Sequence, residues 1–179
     1  MKGKLRILLR IALAVLLVCG VTVGVLYVNR DIGIPTDQLE QDMRTSQNIP
    51  DGWTVQTSAG DTTAAGIAYA PNHSDFVFAV YIDREAHRFF TSGWFFRAGG
   101  SLFEISDFVA AFTVDDRPET AYISMNAEKI DRAVIDSGTE TRTLELDSTQ
   151  PFALVLPRSS GSVTFYAADG QPAEVRVVR

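Results

Sequence analysis

Apolar residues run unbroken from Ile11 to Val28, whereas from Trp53 onward apolar and polar positions alternate with a period of two. The first pattern predicts a membrane-spanning helix, because about 20 apolar residues cross a hydrocarbon core and Ile7 to Leu9 extend the run toward that length. Gly33 and Pro35 then interrupt helical geometry. Thr36 opens the segment Asp37 to Arg44, in which Leu39 and Met43 stand at i, i+4. This predicts one short helix with Thr36 as its N-cap and Asp37 and Glu40 at its positive end. Ser46 to Asp51 is a polar connector that ends in the turn signal Pro50-Asp51-Gly52.

The period-two region reads as a series of short strands. Trp53, Val55 and Thr57 share one face, Ala59-Gly60-Asp61 turns the chain, and Ala65, Ile67 and Tyr69 alternate back as a hairpin. Phe76 to Ile82 is apolar on both faces, which marks a central strand. Further strands are predicted at Phe89 to Phe96, Leu102 to Ile105, Phe108 to Val114, Thr120 to Met125, Ile130 to Ile135 and Thr141 to Leu146. Phe152 to Leu156 and Val163 to Tyr166 read as a pair across Pro157 to Gly161. Asp169-Gly170 supplies a hairpin turn leading to Val175 and Val177. Turn signals every 8 to 12 residues or so predict a mainly β fold: an antiparallel β-sandwich or barrel-like domain behind a transmembrane helix and a short juxtamembrane helix. The expected division is 1–30 for the anchor, 31–50 for the linker with its helix, and 51–179 for an extracytoplasmic β domain.

Charge sets the orientation. Lys2, Lys4, Arg6 and Arg10 precede the apolar run, and cationic flanks stay on the cytoplasmic side, so the chain is expected to be a single-pass protein of the cell membrane with a cytoplasmic N-terminus. The run exceeds the roughly 7 to 15 apolar residues of a cleaved signal peptide, and its small residues Thr22 and Gly24 lie inside it rather than after it, which favours retention. Cys19 follows the bulky Val18, a poor fit to a lipoprotein signal, and reads as an apolar residue in lipid. Gly20 and Gly24 have the small-xxx-small spacing of close helix pairs, although glycine is also common in single spans. Residues 30–179 carry 12 cationic against 22 acidic residues, a formal charge of −10. That balance and the lack of a basic stripe exclude nucleic acid as a partner. With Cys19 the only cysteine, the outer domain has neither a disulfide nor a thiol nucleophile and must hold itself together by burial.

Candidate chemistry is sparse. Asp83, Glu85 and His87 would share one face of an extended segment and could meet at a metal, but the segment reads equally as a solvated turn, and no cofactor is expected. No GxSxG, SxxK, GxxxxGK[ST] or GxGxxG pattern occurs. Phe89, Phe90, Trp94, Phe95, Phe96 and Phe103 form an aromatic block flanked by Arg88 and Arg97. Most of these rings are expected in a core, with Trp94, Phe96 and Arg97 as the candidate ligand- or partner-binding residues.

The stretches Gly33-Ile34-Pro35-Thr36-Asp37-Gln38-Leu39 and Ala121-Tyr122-Ile123-Ser124-Met125-Asn126, with Phe95-Phe96-Arg97-Ala98-Gly99-Gly100 and Gly161-Ser162-Val163-Thr164-Phe165-Tyr166, resemble small bacterial proteins that have one N-terminal anchor and an extracytoplasmic β domain. The resemblance implies a bacterial envelope location and brings no activity and no functional residue. The function expected is a non-catalytic binding or accessory module tethered to the cell membrane, with an envelope protein or a cell-wall ligand as its partner. The alternative is a membrane-anchored envelope enzyme using a carboxylate acid/base pair, which leaves no linear motif.

Overall fold

The structure is a computed structural model that describes residues 2–28, 32–83, 93–101, 107–114 and 116–178. The apolar run is a single helix, α1 (Lys2–Val28), whose Ile7–Leu26 portion has a mean hydropathy of 2.5 and buries none of its surface against the protein. A 3-10 turn at Thr36–Gln38 leads into α2 (Leu39–Ser46). Eleven strands follow among the described residues: β1 (Thr54–Ala59), β2 (Thr63–Tyr69), β3 (Phe76–Asp83), β4 (Trp94–Gly100), β5 (Val109–Thr113), β6 (Glu119–Ser124), β7 (Ile130–Asp136), β8 (Thr141–Glu145), β9 (Phe152–Pro157), β10 (Ser162–Ala167) and β11 (Val175–Val178). The expected strand at Leu102 to Ile105 and the first residues of the one at Phe89 lie outside the described residues.

Three sheets are stacked. The outer sheet has the order β1-β2-β3-β4, the middle sheet β11-β5-β6-β9, and the third sheet β10-β7-β8. Period-two alternation explains the layering. Ala65, Ile67, Tyr69, Phe78 and Val80 of the outer sheet meet Ala110, Phe112, Ala121, Ile123 and Val155 of the middle sheet. The intervening residues of the middle sheet, Val109, Tyr122, Phe152 and Leu154, face the opposite way and pack on Ala133, Leu144, Val163 and Phe165 of the third sheet. On its far side the outer sheet presents Ala64, Ala68, Ala79 and Tyr81 to Leu39 and Met43 of α2, so it too is covered on both faces. Gly66 sits directly under this helix, and a Cβ there would stand 2.7 Å from the Met43 sulfur.

Three local expectations are corrected. Thr36 does not cap α2; it begins the 3-10 turn, and its hydroxyl accepts a hydrogen bond from the Trp94 indole at 2.9 Å. The strands β9 and β10 do not pair with each other: β9 pairs with β6 and β10 with β7, because Phe152 and Phe165 belong to opposite walls of one core and stack across it with centroids 5.7 Å apart. The Asp169-Gly170 turn forms, with Gly170 at φ +84°, but it does not deliver β11 to β10. The returning chain reaches Pro172, which has no N–H for a ladder, and after Ala173 it crosses to run parallel to β5.

Candidate functional site

The most completely built polar cluster in the described residues surrounds Glu119. Its side chain leaves the first residue of β6 on the same face as Ala121 and Ile123, toward the outer sheet, and it is only 3% exposed. The β1–β2 turn meets it with three consecutive backbone N–H groups, from Asp61 at 2.7 Å, Thr62 at 2.8 Å and Thr63 at 2.7 Å, while the Thr62 hydroxyl donates at 3.0 Å. Burial pushes the carboxyl pKa up, but the hydrogen bonds from Asp61, Thr62 and Thr63 outweigh it and hold the value below the ordinary glutamate range. A Cβ at Gly60 would run into the carboxylate, so a larger residue at this turn must displace the Glu119 side chain. Close by, the Thr63 hydroxyl is buried with no hydrogen-bond partner. The cluster is an ionised carboxylate seated in a nest of backbone donors, and it fastens the turn of the outer sheet to the start of β6.

A second polar contact lies on the α2 side of the outer sheet. The buried Tyr81 hydroxyl donates to the Asp42 carboxylate at 3.1 Å. Tyr81 pairs with Ala64 and Ile82 with Thr63, so the Asp42 contact and the Glu119 nest address adjacent rungs of the same β2–β3 ladder. Each carboxylate has hydrogen-bond donors in place, and Asp42 is the more accessible of the two.

A cleft lies at one edge of the sheet stack. The outer and middle sheets pack through β1, β2, β6 and β9 and part toward the opposite edge, where β4 and β11 are the terminal strands. Between them lies a cleft of about 350 Å³ lined by Val80, Arg97, Phe112, Thr113, Val114 and Val178. Arg97 owes its place to a β-bulge. Val80 pairs with Ala98 and the next rung joins Tyr81 to Phe96, so Arg97 is the extra residue of β4. A bulge re-aims a side chain and is frequent beside functional sites. Arg97 is exposed and makes no ion pair or hydrogen bond among the described residues. A smaller hollow of about 240 Å³ lies at Trp53, Asp75, Val77 and Ser101 and has no cation in its wall among the described residues.

The three candidate residues of the aromatic block are thus placed in different settings. Trp94 is 6% exposed, packs under α2 and is tied to Thr36. Phe96 is half-buried and meets Tyr81 edge-to-face with centroids 6.0 Å apart. Arg97 alone faces the cleft. Phe95 is buried, while Arg88, Phe89, Phe90 and Phe103 lie outside the described residues. So do Glu85 and His87 of the candidate metal trio, and no group of three His, Cys, Asp or Glu side chains suited to a metal occurs among the described residues. Sequence reasoning missed the Glu119 cluster. Its only linear signal is a carboxylate in phase with the core residues Ala121 and Ile123. Comparison with family models, with curated proteins and with solved structures finds no match to this chain.

Proposed function

We propose that the chain is a non-catalytic binding module of the bacterial cell envelope, held at the membrane by α1 with its β domain on the extracytoplasmic side. The observation that carries this reading is the cleft between β4 and β11, where Arg97, without an ion pair among the described residues, lines the wall together with Val80, Phe112, Val114 and Val178. Pockets of a few hundred Å³ with mostly apolar walls and a few placed polar groups are the usual form of a ligand site. The cationic flank of α1 supports the orientation, and the length of its apolar run supports retention of the anchor. The test is a photo-crosslinking side chain at Thr113, in the cleft, compared with one at Thr143 on β8, both in intact membranes. The expected result is a discrete adduct at position 113 only, abolished by Arg97→Gln. Equal labelling at both positions would remove the reading.

A second reading, an envelope enzyme, draws on the carboxylates. Asp42 and Glu119 are both held by hydrogen bonds and address neighbouring rungs of one ladder, so the catalytic reading has the more ordered polar groups and the binding reading the more accessible one. Asp42, held by Tyr81 on the α2 face, would act as the base, and the ionised Glu119 on the opposite face of the sheet as a fixed electrostatic anchor behind it. Under this reading Asp42→Asn abolishes turnover of a chromogenic glycoside or ester panel and leaves thermal stability unchanged. A panel on which the native protein shows no turnover decides against it.

A further inference from the structure

We infer that the β4–β11 cleft takes a single-chain anionic amphiphile, such as a long-chain carboxylate, drawn from the adjacent bilayer. The inference rests on the binding reading above and names its ligand class. Three independent features lead to it.

The first is the tether. Helix α1 ends at Val28, and the chain is already fixed to the β domain at Ile34, whose N–H and C=O both bond to Trp94 at 2.9 Å. Six residue steps reach at most about 22 Å even when fully extended. The cleft is close to that point, since Arg97 follows Trp94 by three positions on β4, roughly 10 Å of strand. Its mouth therefore stays within about 30 Å of chain from the end of the spanning helix. A ligand resident in the membrane is held at high local concentration beside such a site, and a soluble one is not.

The second is charge. The outer chain has a formal charge of −10, so its general field repels anions. Arg97 is a local exception, without an ion pair among the described residues and placed at the cleft by the bulge. An exposed ion pair contributes little in water, so a small soluble anion would gain almost nothing here. A ligand that binds must add apolar contact.

The third is the floor that supplies this contact. Val80 and Phe112 belong to the core between the two sheets, and Val114 and Val178 pack against it at the cleft. Covering the half-buried Val114 and Val178 with an alkyl chain gives affinity in proportion to the area removed from water, and the guanidinium fixes which end faces out. A carboxylate headgroup suits it by bidentate pairing.

The test uses the full chain reconstituted in phosphatidylcholine vesicles with a diazirine-bearing palmitate, followed by peptide mapping of the photo-adducts. The expected result is labelling of peptides spanning Phe112 to Val114 in addition to α1, reduced at least tenfold at the cleft by Arg97→Gln and by Thr113→Glu, with α1 labelling unchanged as the internal control. The methyl ester of the same probe should label α1 and spare the cleft. Adducts confined to α1, or cleft adducts indifferent to both substitutions, overturn the inference. A soluble diazirine-bearing tripeptide with a free carboxylate separates the two levels of the argument. If it labels the cleft in an Arg97-dependent way and the palmitate does not, the lipid assignment fails and the binding module stands; if neither labels the cleft, both fall.

Discussion

One carboxylate in this chain receives four hydrogen bonds from three consecutive residues, and its removal tests how far a polar group can fasten a β fold. In Glu119→Gln an amide NH₂ must face backbone donors that have no other acceptor. Each charge-assisted bond is worth more than a neutral one, so the expected loss is about 2–4 kcal/mol in denaturant unfolding. The native pKa is depressed, so the stability Glu119 contributes is fully present above the ordinary glutamate range and is lost as pH falls through the lower native value. The variant should therefore lose less stability on acidification than the native protein, and parallel acid titrations would contradict the nest. Gly60→Ala should reproduce much of the defect by displacing the carboxylate, with no change of charge. Periodicity places Glu119 on a core face, but its partners lie 56 to 58 positions away in the chain, and no local pattern encodes that meeting.

Among the elements, α2 was readable because two apolar residues at i, i+4 suffice to define its buried stripe, and Leu39 and Met43 are both within 1% of full burial. Met43→Ala is expected to cost about 2–5 kcal/mol, the usual range for emptying a packed site. Trp94→Phe should cost less, about 1–2 kcal/mol, because it keeps part of the ring packing and loses the rest together with the bond to Thr36. If Trp94→Phe proves as damaging as Met43→Ala in equilibrium unfolding, the indole bond has been undervalued. Strand positions were likewise legible from alternation, and strand partners were not. β9 and β10 are neighbours in sequence with matching apolar content, yet they are separated into facing sheets by the 3-10 turn at Arg158–Ser160 and by Gly161, at φ +115°, where a Cβ would strike the Asp136 carbonyl. The same holds at the β6–β7 corner. Asn126, at φ +58°, donates to the carbonyls of Ile130, Asp147 and Gln150 and accepts from the Ile130 N–H. Asn126→Asp keeps a residue tolerant of that backbone but turns the donor group into a third-party acceptor facing three carbonyls, and a loss of about 2 kcal/mol or more is expected where Asn126→Gly is milder.

For the molecule as a whole, the helix and the stacked sheets make separate predictions. Residues Ile7–Leu26 of α1 bury no surface against the described rest of the chain, so their apolar side chains require another solvent. The protein is expected to fractionate with membranes and to resist carbonate extraction, and recovery of the full-length chain in the soluble fraction would refute retention of the span. The β domain draws its stability from three cores and carries no cysteine, so reductant and chelator should leave its thermal midpoint in place. A fall of more than about 5 °C with chelator, corresponding to roughly 1 kcal/mol or more, would return attention to Asp83, Glu85 and His87. The apolar helix was legible because a candidate membrane span is a long-run property of composition. The cleft was not, because it arises where two sheets diverge at their edges, and Arg97 enters it through a one-residue bulge that no periodicity reports.

The bridge between Ile34 and Trp94 also gives the molecule a mechanical grading. Among the described residues, tension on the anchor meets the fold first at these two hydrogen bonds and the packing of Ile34, then at the Thr36–Trp94 bond, while α2 behind them is secured by the buried Leu39 and Met43. A steady pull therefore peels Ile34 away before it disturbs any sheet, and the freed residues lengthen the leash by several residues of extended chain. The domain can yield to a lateral drag in the membrane by paying out slack, with its cores intact.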